Sequence, residues 1–483
     1  MELQWNKRPC TYIKTHFRQL QSQEQTHELR IPEDLPDIGK VLCAWGQPVL
    51  RSKEWRGDAM VVSGGVNASV AYLPENGGQT TVMETWIPFQ AKWNIPQTNR
   101  EGTIRTQCIL RGLDARILSV RKMMLRANLA VLGETLEQAE ETLYTPTELP
   151  EGVEVLTNLY PAVLPKEAGE KQFYIEEELH IPDAVRWISF SVVPEIMEQN
   201  VVGSRGVIRG NGQLHYVYLD EEGNVKSGNQ QIPFAQFIEL DQDYDKQATV
   251  DSMLMLSSLE HETIPDGVKI QCGVSAQYLV WNQELLDVTE DAYSNLCDLS
   301  LQQETLTLPM QLDARQETVD MTVELPEGKM VDLVFRPDFS VTYREGDLVN
   351  IEIPGSFQYV YLDDEGNLQS LVQNTVGTLE CQAADGCQFL SSVQSIEVEQ
   401  HAARINLKVQ VYVNQELPMV CGVTLGQAHQ QDGNQPTLIL RRMDTDSLWQ
   451  LAKETGSTMD AIRKANQLTQ DPSRGEMLLI PIN

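Results

Sequence analysis

The stretch HYVYLDEEGNVKS, residues 215–227, occurs again in closely similar form as YVYLDDEGNLQS at residues 359–370. A more divergent copy, SVAYLPENGGQT, covers residues 69–80. When the tyrosine-leucine pairs that the three stretches share are aligned, the copies are spaced 146 and 143 residues apart. Internal similarity at a nearly fixed spacing is typical of repeat proteins, so the stretch predicts that one domain occurs three times.

Two further marks support the same three copies. A proline segment precedes each copy, as ELRIPEDL, ELHIPDAV and VELPEGKM, with the prolines at Pro32, Pro182 and Pro326. Downstream of the second and third copies, VWNQELL (280–286) resembles VNQELPM (413–419). Because the marks keep one order along the chain, they extend the similarity well beyond the turn itself.

Each copy has the side-chain pattern of β-strands. Phe357, Tyr359 and Tyr361 recur at every second position, and apolar residues alternate in the same way along RINLKVQVYV (404–413). A period of two is the pattern of a strand with one buried face. The sequence therefore predicts a mostly β protein with three tandem, sandwich-like or barrel-like domains. GETLEQAEETLY, at the end of the tract 127–144, has a helix-forming composition, which leaves a helix there as the alternative.

The acidic residues of VYLDEEGN (217–224) raise the question of a calcium loop. Such a loop ends on a bidentate glutamate at its twelfth position. Here that position is Gln231, and in the later copy it is Asn374, so neither copy supplies the carboxylate. Gly223 and Gly366 instead suit the left-handed position of a short hairpin loop. We therefore predict a hairpin turn and no metal site.

Composition limits the kinds of partner. The 483 residues carry a formal net charge of −32, which argues against nonspecific binding to nucleic acid or to an anionic membrane, since both need a basic surface. The start MELQWNKRPCTYIKTHF has no apolar signal-peptide core, and no apolar run is long enough to cross a bilayer. None of the eight cysteines forms a C-x-x-C pair, which indicates reduced, mostly buried thiols. These features predict a cytoplasmic protein without membrane insertion.

Motifs of catalysis are missing from the sequence. It contains no H-E-x-x-H zinc motif, no G-x-S-x-G nucleophile elbow and no G-x-x-x-x-G-K-[ST] phosphate loop. His261 and Glu262 lack the second histidine of a zinc peptidase, and a Cys272–His261 pair across the fold stays open as a catalytic alternative. We therefore predict a protein that is not an enzyme and has no cofactor.

The C-terminal segment differs from the rest of the chain. From Leu438 onward, six basic and six acidic residues balance, so the net negative charge lies upstream. LILR predicts a strand, DTDSLWQLAKETG a helix capped by Thr445 or Asp446 and ended by Gly456, STMDAIRKAN a second helix, and MLLIPI a closing strand. The resulting prediction is a small domain of order strand–helix–helix–strand. The predicted divisions are 1–162, 163–312 and 313–427 for the three β-rich domains, 428–436 for a linker and 437–483 for the small domain.

This segment resembles a LysM domain. The resemblance is carried by DSLW (446–449), LAK (451–453), Gly456, ANQL (465–468) and LLIP (478–481). Thr445, Arg474 and Glu476 depart from the family pattern. LysM domains bind N-acetylglucosamine polymers in a groove between two loops. The resemblance implies groove residues as follows: Thr445, Asp446, Ser447, Leu448, Asn466, Gln467, Leu468 and Thr469. For apolar residues such as Leu448 and Leu468, a place in the small core is the competing interpretation.

The order of domains is similar to that of the SipL-like SPOCS-domain proteins, a clostridial family of spore-coat morphogenesis. The resemblance implies a mother-cell cytoplasmic scaffold at the forespore surface, which binds the coat-morphogenesis ATPase SpoIVA through its LysM domain. The alternative is a carbohydrate-binding protein that recognises N-acetylglucosamine-containing peptidoglycan of the cortex or wall. Because wall-binding LysM proteins have to be exported and no export signal is recognised here, the sequence favours the protein partner.

Overall fold

The computed structural model describes residues 4–95, 102–310, 316–345, 348–364, 366–381, 388–399, 402–428, 437–445 and 447–482. The described chain is mostly β, as predicted. In chain order its strands are β1 (Trp5–Arg30), β2 (Ile38–Arg56), β3 (Ala59–Pro74), β4 (Thr81–Asn94), β5 (Thr103–Ser119), β6 (Lys122–Pro146), β7 (Val153–His180), β8 (Arg186–Leu219), β9 (Val225–Tyr244), β10 (Thr249–Ile264), β11 (Gly267–Ser294), β12 (Cys297–Met310), β13 (Gln316–Glu324), β14 (Lys329–Pro337), β15 (Val341–Glu345), β16 (Leu348–Leu362), β17 (Leu368–Cys381), β18 (Gln388–Glu399), β19 (Ala402–Ala428), β20 (Leu438–Arg442) and β21 (Met477–Pro481). The helices are α1 (Leu448–Thr455) and α2 (Met459–Asn466).

The strands form small antiparallel sheets in three successive sets. The first set has sheets of order β1-β6-β5 and β2-β3-β4. The second has β10-β11-β7 and β8-β9. In the third, β19 pairs with β12, β13 and β18, and β16 pairs with β14, β15 and β17. No sheet closes into a barrel within the described residues, and β20 and β21 form a separate two-stranded sheet.

The strand pairing does not follow the predicted domain boundaries. The boundary 162/163 falls inside β7, whose first residues pair with β11 as far as Val153 with Ser294. The boundary 312/313 falls between β12 and β13, and both of these strands pair with β19. The long strands therefore keep pairing across the positions at which the sequence marks place these boundaries. Of the predicted linker 428–436, residue 428 ends β19 and residues 429–436 lie outside the described residues.

The alternative helix in the tract 127–144 is not found. This tract lies within β6, which pairs with β1 from Pro146 back to Lys122. Buried side chains alternate with less buried ones in the first part of β6, and cross-strand pairing continues through GETLEQAEETLY. The tertiary pairing therefore overrides the helix-forming composition of the segment.

The acidic turn at residues 220–224 is a hairpin turn, as predicted. It joins β8 to β9, with Leu219 opposite Val225. Oδ1 of Asp220 accepts hydrogen bonds from the backbone N–H groups of Glu222 (3.0 Å) and Asn224 (2.8 Å). Gly223 has φ 81°, the left-handed conformation that favours glycine. The first acid of the turn thus satisfies the backbone of the loop.

Acid should weaken this turn through Asp220. Burial opposes ionisation of its carboxyl, but hydrogen bonds from Asn224 and Lys226 outweigh burial and lower its pKa from 3.8 to about 2. A lowered pKa in the folded state stabilises the turn above pH 3.8, and this stabilisation is lost as the pH falls toward 2. We expect Asp220→Ala to speed hydrogen exchange at the Asn224 amide severalfold at pH 6, whereas Glu221→Ala should leave it unchanged. Equal exchange in both variants would show that the carboxylate does not hold the turn.

The repeated stretches meet in one buried cluster. Ala71, Val217 and Val360 directly precede the aligned tyrosines, and each is at most 2 % exposed. They pack in one cluster to which Leu219 belongs and on which Leu73 and Leu362 pack. We call this cluster the junction core; it joins strands from all three sets of sheets.

Side chains on the opposite faces of the same strands pack outside the junction core. Val70, Tyr216 and Tyr359, one residue earlier in each stretch, pack in three separate clusters, one in each set of sheets. Side chains alternate between the two faces of a strand. The repeated pattern therefore has two uses: one face builds the core of its own set, and the other builds the junction core.

Candidate functional site

Residues 437–482, which we call the C-terminal unit, contain β20, α1, α2 and β21 in the predicted order. The predicted cap of α1 was Thr445 or Asp446, but the helix is capped by Ser447, whose hydroxyl oxygen accepts the N–H of Gln450 at 3.2 Å. Ser447 has an extended backbone, and the helix begins with the next residue. Asp446 itself lies outside the described residues.

The ends of both helices follow local capping rules. Gly456 ends α1 in the left-handed conformation with φ 65°, as predicted. Thr458 caps α2, its hydroxyl oxygen accepting the N–H of Ala461 at 3.1 Å. Gln467 ends α2 with φ 53°, a left-handed conformation that is uncommon for a residue with a side chain. Of these caps, Gln467 lies in the second candidate loop and fixes where that loop leaves α2.

Two described side chains of the first candidate loop, those of Thr445 and Leu448, are buried in the unit. Thr445 is 8 % exposed, and its hydroxyl donates to the carbonyl of Ser447 at 3.1 Å. The hydroxyl oxygen of Ser447 accepts the hydrogen bond of the helix cap, and its side chain is exposed. Leu448 is 2 % exposed and belongs to the core of the unit, as the core interpretation expected.

Asn466 in the second candidate loop holds the unit together. Its Nδ2 donates to the carbonyls of Ile462 (2.9 Å) and Leu479 (2.6 Å), and its Oδ1 accepts the N–H of Leu479 (2.8 Å). The side chain thereby joins the end of α2 to β21. Both of its polar atoms are used within the unit.

The remaining residues of this loop differ in exposure. Leu468 packs against the core of the unit, and its N–H donates to the carbonyl of Arg463 at 3.0 Å. The side chains of Gln467 and Thr469 are exposed. Together with the exposed Ser447, these two therefore present polar side chains to solvent.

The C-terminal unit is attached to the end of β11. The indole N–H of Trp449 donates to Asp291 Oδ2 at 2.8 Å, and Lys453 Nζ lies 2.7 Å from the same carboxylate oxygen. The ring of Tyr293 meets the Trp449 ring edge-on at 4.8 Å, and its hydroxyl donates to the carbonyl of Ser457 at 2.7 Å. We call these five residues the docking contact.

The docking contact is a buried surface and not only a surface ion pair. Tyr293 is 5 % exposed and belongs to the same cluster as Leu448, Leu451 and Ile462 of the unit. Burial raises the pKa of Tyr293, so its hydroxyl stays protonated as a donor. Nearby, burial and then the charge of Asp460 raise the pKa of Glu154. The sequence resemblance drew attention to Trp449 and Lys453 but gave no signal for Asp291 or Tyr293.

No protein-family model, no curated protein and no solved structure matches this chain. The family resemblance therefore rests on the quoted sequence motifs.

Grooves also lie on the β-rich part of the described chain. A shallow groove of about 820 Å³ on β2–β4 has Arg51, Asn67, Trp86 and Gln90 among its lining residues, but no described His, Cys, Asp or Glu. Across the described residues, no three His, Cys, Asp or Glu side chains are grouped as a metal site requires. Both helices have eight residues, and in the part that the structure describes no helix is long and apolar enough to cross a membrane.

The buried thiols are poor nucleophiles. Burial raises the pKa of Cys43, Cys108 and Cys272 to about 12. Because the thiolate is the reactive form, these thiols are protonated and unreactive near neutral pH. Cys272 pairs across β10–β11 with Leu259 and not with His261, which stands opposite Ile270.

Proposed function

We propose that this chain is a non-enzymatic scaffold of spore-coat morphogenesis, built from three related β-rich domains and a C-terminal LysM domain. In this proposal it binds the coat-morphogenesis ATPase SpoIVA at the forespore surface, on the mother-cell cytoplasmic side. The identity of the partner comes from the family resemblance. The side chains of the C-terminal unit bear on the kind of ligand that it binds.

One observation supports the proposal: three of the five polar side chains among the described groove residues make hydrogen bonds within the unit. Thr445, Ser447 and Asn466 make hydrogen bonds within the unit, and the exposed polar side chains among the described groove residues are Ser447, Gln467 and Thr469. Sugar recognition relies on several convergent hydrogen-bonding groups, whereas a protein interface depends chiefly on a small number of well-placed contacts. The loops therefore favour a protein partner over a glycan.

The docking contact supports a scaffold role. It presents the C-terminal unit in one orientation on β11, since Asp291 and Tyr293 engage α1 and the following turn together. A unit held in place loses less freedom when it binds a partner than a unit on a flexible tether. The junction core would also hold the three sets of sheets together as one support for the C-terminal unit.

The proposal predicts that the exposed loop residues contribute to partner binding. We expect Gln467→Ala with Thr469→Ala in the full chain to weaken binding of purified SpoIVA about tenfold, equivalent to about 1.4 kcal/mol, without lowering the stability of the unit. Gln450→Ala, an exposed amide on α1 outside the loops, is the matched control and should bind normally. Affinity is measured by titration of the full chain.

The same titration tests the alternative function. The full chain and a form that lacks residues 437–483 are compared for binding to SpoIVA and to purified peptidoglycan. Loss of SpoIVA binding on deletion, with no peptidoglycan binding by the full chain, supports the scaffold. Retention of SpoIVA binding after deletion, or saturable peptidoglycan binding that the loop substitutions abolish, contradicts it.

A further inference from the structure

The outer face of the two-stranded sheet in the C-terminal unit is apolar and uncovered. Leu438 and Leu440 on β20 are 50 % and 63 % exposed, and Met477 and Leu479 on β21 are 55 % and 39 % exposed. Leu440 stands directly opposite Leu479. The side chains that alternate with these pack inward, as Leu478 and Ile480 do in the core of the unit. The four apolar side chains therefore form one continuous outward patch.

The backbone groups at the β21 edge of this sheet have a hydrogen-bond partner in Asn466, whereas the β20 edge has no neighbouring strand among the described residues. Asn466 binds both the N–H and the C=O of Leu479, so these groups point away from β20. Leu440 and Leu479 are therefore a pair of opposite residues that do not exchange backbone hydrogen bonds. In such a pair the N–H and C=O of Leu440 also point away from the partner strand, toward the outer edge of β20. By alternation, the groups of Leu438 and Arg442 do the same. Within the described residues β20 pairs with β21 alone, so this edge has no strand beside it.

A positively charged side chain, that of Arg442, lies at one end of the β20 edge. Arg442 is exposed and lies on the same face as Leu438 and Leu440, opposite Met477. Its Nε donates to the carbonyl of Gly475 at 3.2 Å, and no acidic side chain of the described residues pairs with it. Its neighbour Arg441, by contrast, pairs with Asp444 and Glu454. An incoming strand with a carboxylate at this end would complete the pairing.

We propose that β20 accepts an extended segment of the partner protein as a third strand. The segment would carry apolar residues at alternate positions to cover Leu438, Leu440, Met477 and Leu479, and an acidic residue beside Arg442. This inference rests on the proposed function, because it describes how the C-terminal unit would hold the coat ATPase. Strand addition joins main-chain hydrogen bonds, which give affinity, to side-chain contacts, which give specificity.

A second copy of this chain is a weaker candidate for the occupant. The exposed surface of these four side chains is smaller than the roughly 800 Å² of surface that each partner buries in a stable interface of standard size. Two copies packed face to face would also bring their two positively charged Arg442 side chains into the same small patch, where the like charges repel each other. An added strand gains backbone hydrogen bonds that a face-to-face dimer cannot make.

The test uses the full chain and purified SpoIVA. Leu440→Thr keeps a strand-forming residue but removes the apolar contact, and Arg442→Glu reverses the charge. Leu159→Thr is the matched control, since Leu159 on β7 is also 63 % exposed but belongs to a paired strand of the second set. We expect each of the first two variants to weaken binding at least about tenfold, and the control to stay within about twofold. Hydrogen exchange in the complex should slow at the amides of Leu438, Leu440 and Arg442.

The outcomes separate this inference from the function on which it rests. If the wild-type chain does not bind SpoIVA, the proposed function fails and the strand-addition inference fails with it. If the wild type binds and the loop variant Gln467→Ala with Thr469→Ala is weakened, but Leu440→Thr and Arg442→Glu bind normally, only the strand-addition inference is overturned. A wild-type dimer in sedimentation that Leu440→Thr converts to a monomer would instead assign the edge to a second copy, and would also overturn it.

Discussion

Replacing Trp449 with alanine is expected to detach the C-terminal unit and unfold it locally, at a cost of about 3–5 kcal/mol. The Trp449 side chain is 6 % exposed, so its removal leaves a large cavity. It also removes the edge-on contact with Tyr293 and the indole hydrogen bond to Asp291. The unit has only two short helices and a two-stranded sheet, so it has little other core to compensate.

The measurement is hydrogen exchange at amides of α1 and α2, because a melting curve would be dominated by the larger β-rich part. In Trp449→Ala, the amides of Leu451 and Ile462 should exchange far faster, while those of β11 beyond the docking contact stay protected. Asp291→Asn is the matched variant, since it keeps the size of the side chain but weakens the contacts with Trp449 and Lys453. It should loosen the docking contact and leave the helices folded. Unchanged protection in Trp449→Ala would show that the unit is stable without this residue.

Much of the local structure could be predicted from the sequence because it depends on neighbours in the chain. The hairpin at Asp220–Asn224 follows from a glycine in the left-handed position and an acid that binds the turn amides. Gly456 ends α1 for a comparable reason. Alternation along residues 404–413 predicted a strand, and this segment is part of β19.

Contacts between segments that are distant in the sequence could not be predicted, because they leave no local sequence pattern. Gln277 is fully buried, and its amide exchanges hydrogen bonds of 2.8 Å with the backbone N–H and C=O of Thr106. Lys53 also reaches this amide at 2.8 Å and Glu170 at 3.1 Å. Each of these residues looks like an ordinary surface residue in its own strand. Their burial depends on how the first and second sets of sheets pack, which periodicity within a strand does not encode.

The candidate site was predicted by resemblance and only partly by physical signals. The loops around residues 445–448 and 466–469 could be located from the caps of two short helices. The use of Asn466 as a clamp on Leu479 could not, because it depends on where β21 returns. For the same reason the docking contact with Asp291, more than 150 residues upstream, had no signal in the C-terminal sequence.

Introducing aspartate at Val360 is expected to destabilise all three sets of sheets together. Val360 is fully buried in the junction core beside Val217 and Ala71. A carboxylate there would be surrounded by apolar side chains from three sets, and we expect a cost of about 4 kcal/mol or more. Burial would raise the pKa of the new carboxyl, so the deficit should be larger at pH 7 than near pH 4, where the neutral form is available.

The same substitution at Val372 is the matched control. Val372 lies on β17 opposite Gln358 of β16, in the same sheet as Val360, but it is 45 % exposed. Val372→Asp should therefore cost little, while Val360→Asp should lower the melting temperature and speed hydrogen exchange at Ala71 and Val217 as well as in β16. If Val360→Asp speeds exchange only in the third set, the stretch that repeats three times builds three independent cores. Faster exchange in all three sets would mean that the repeated strands stabilise one another through the junction core, which explains why the Ala/Val-Tyr-Leu pattern is kept in each copy.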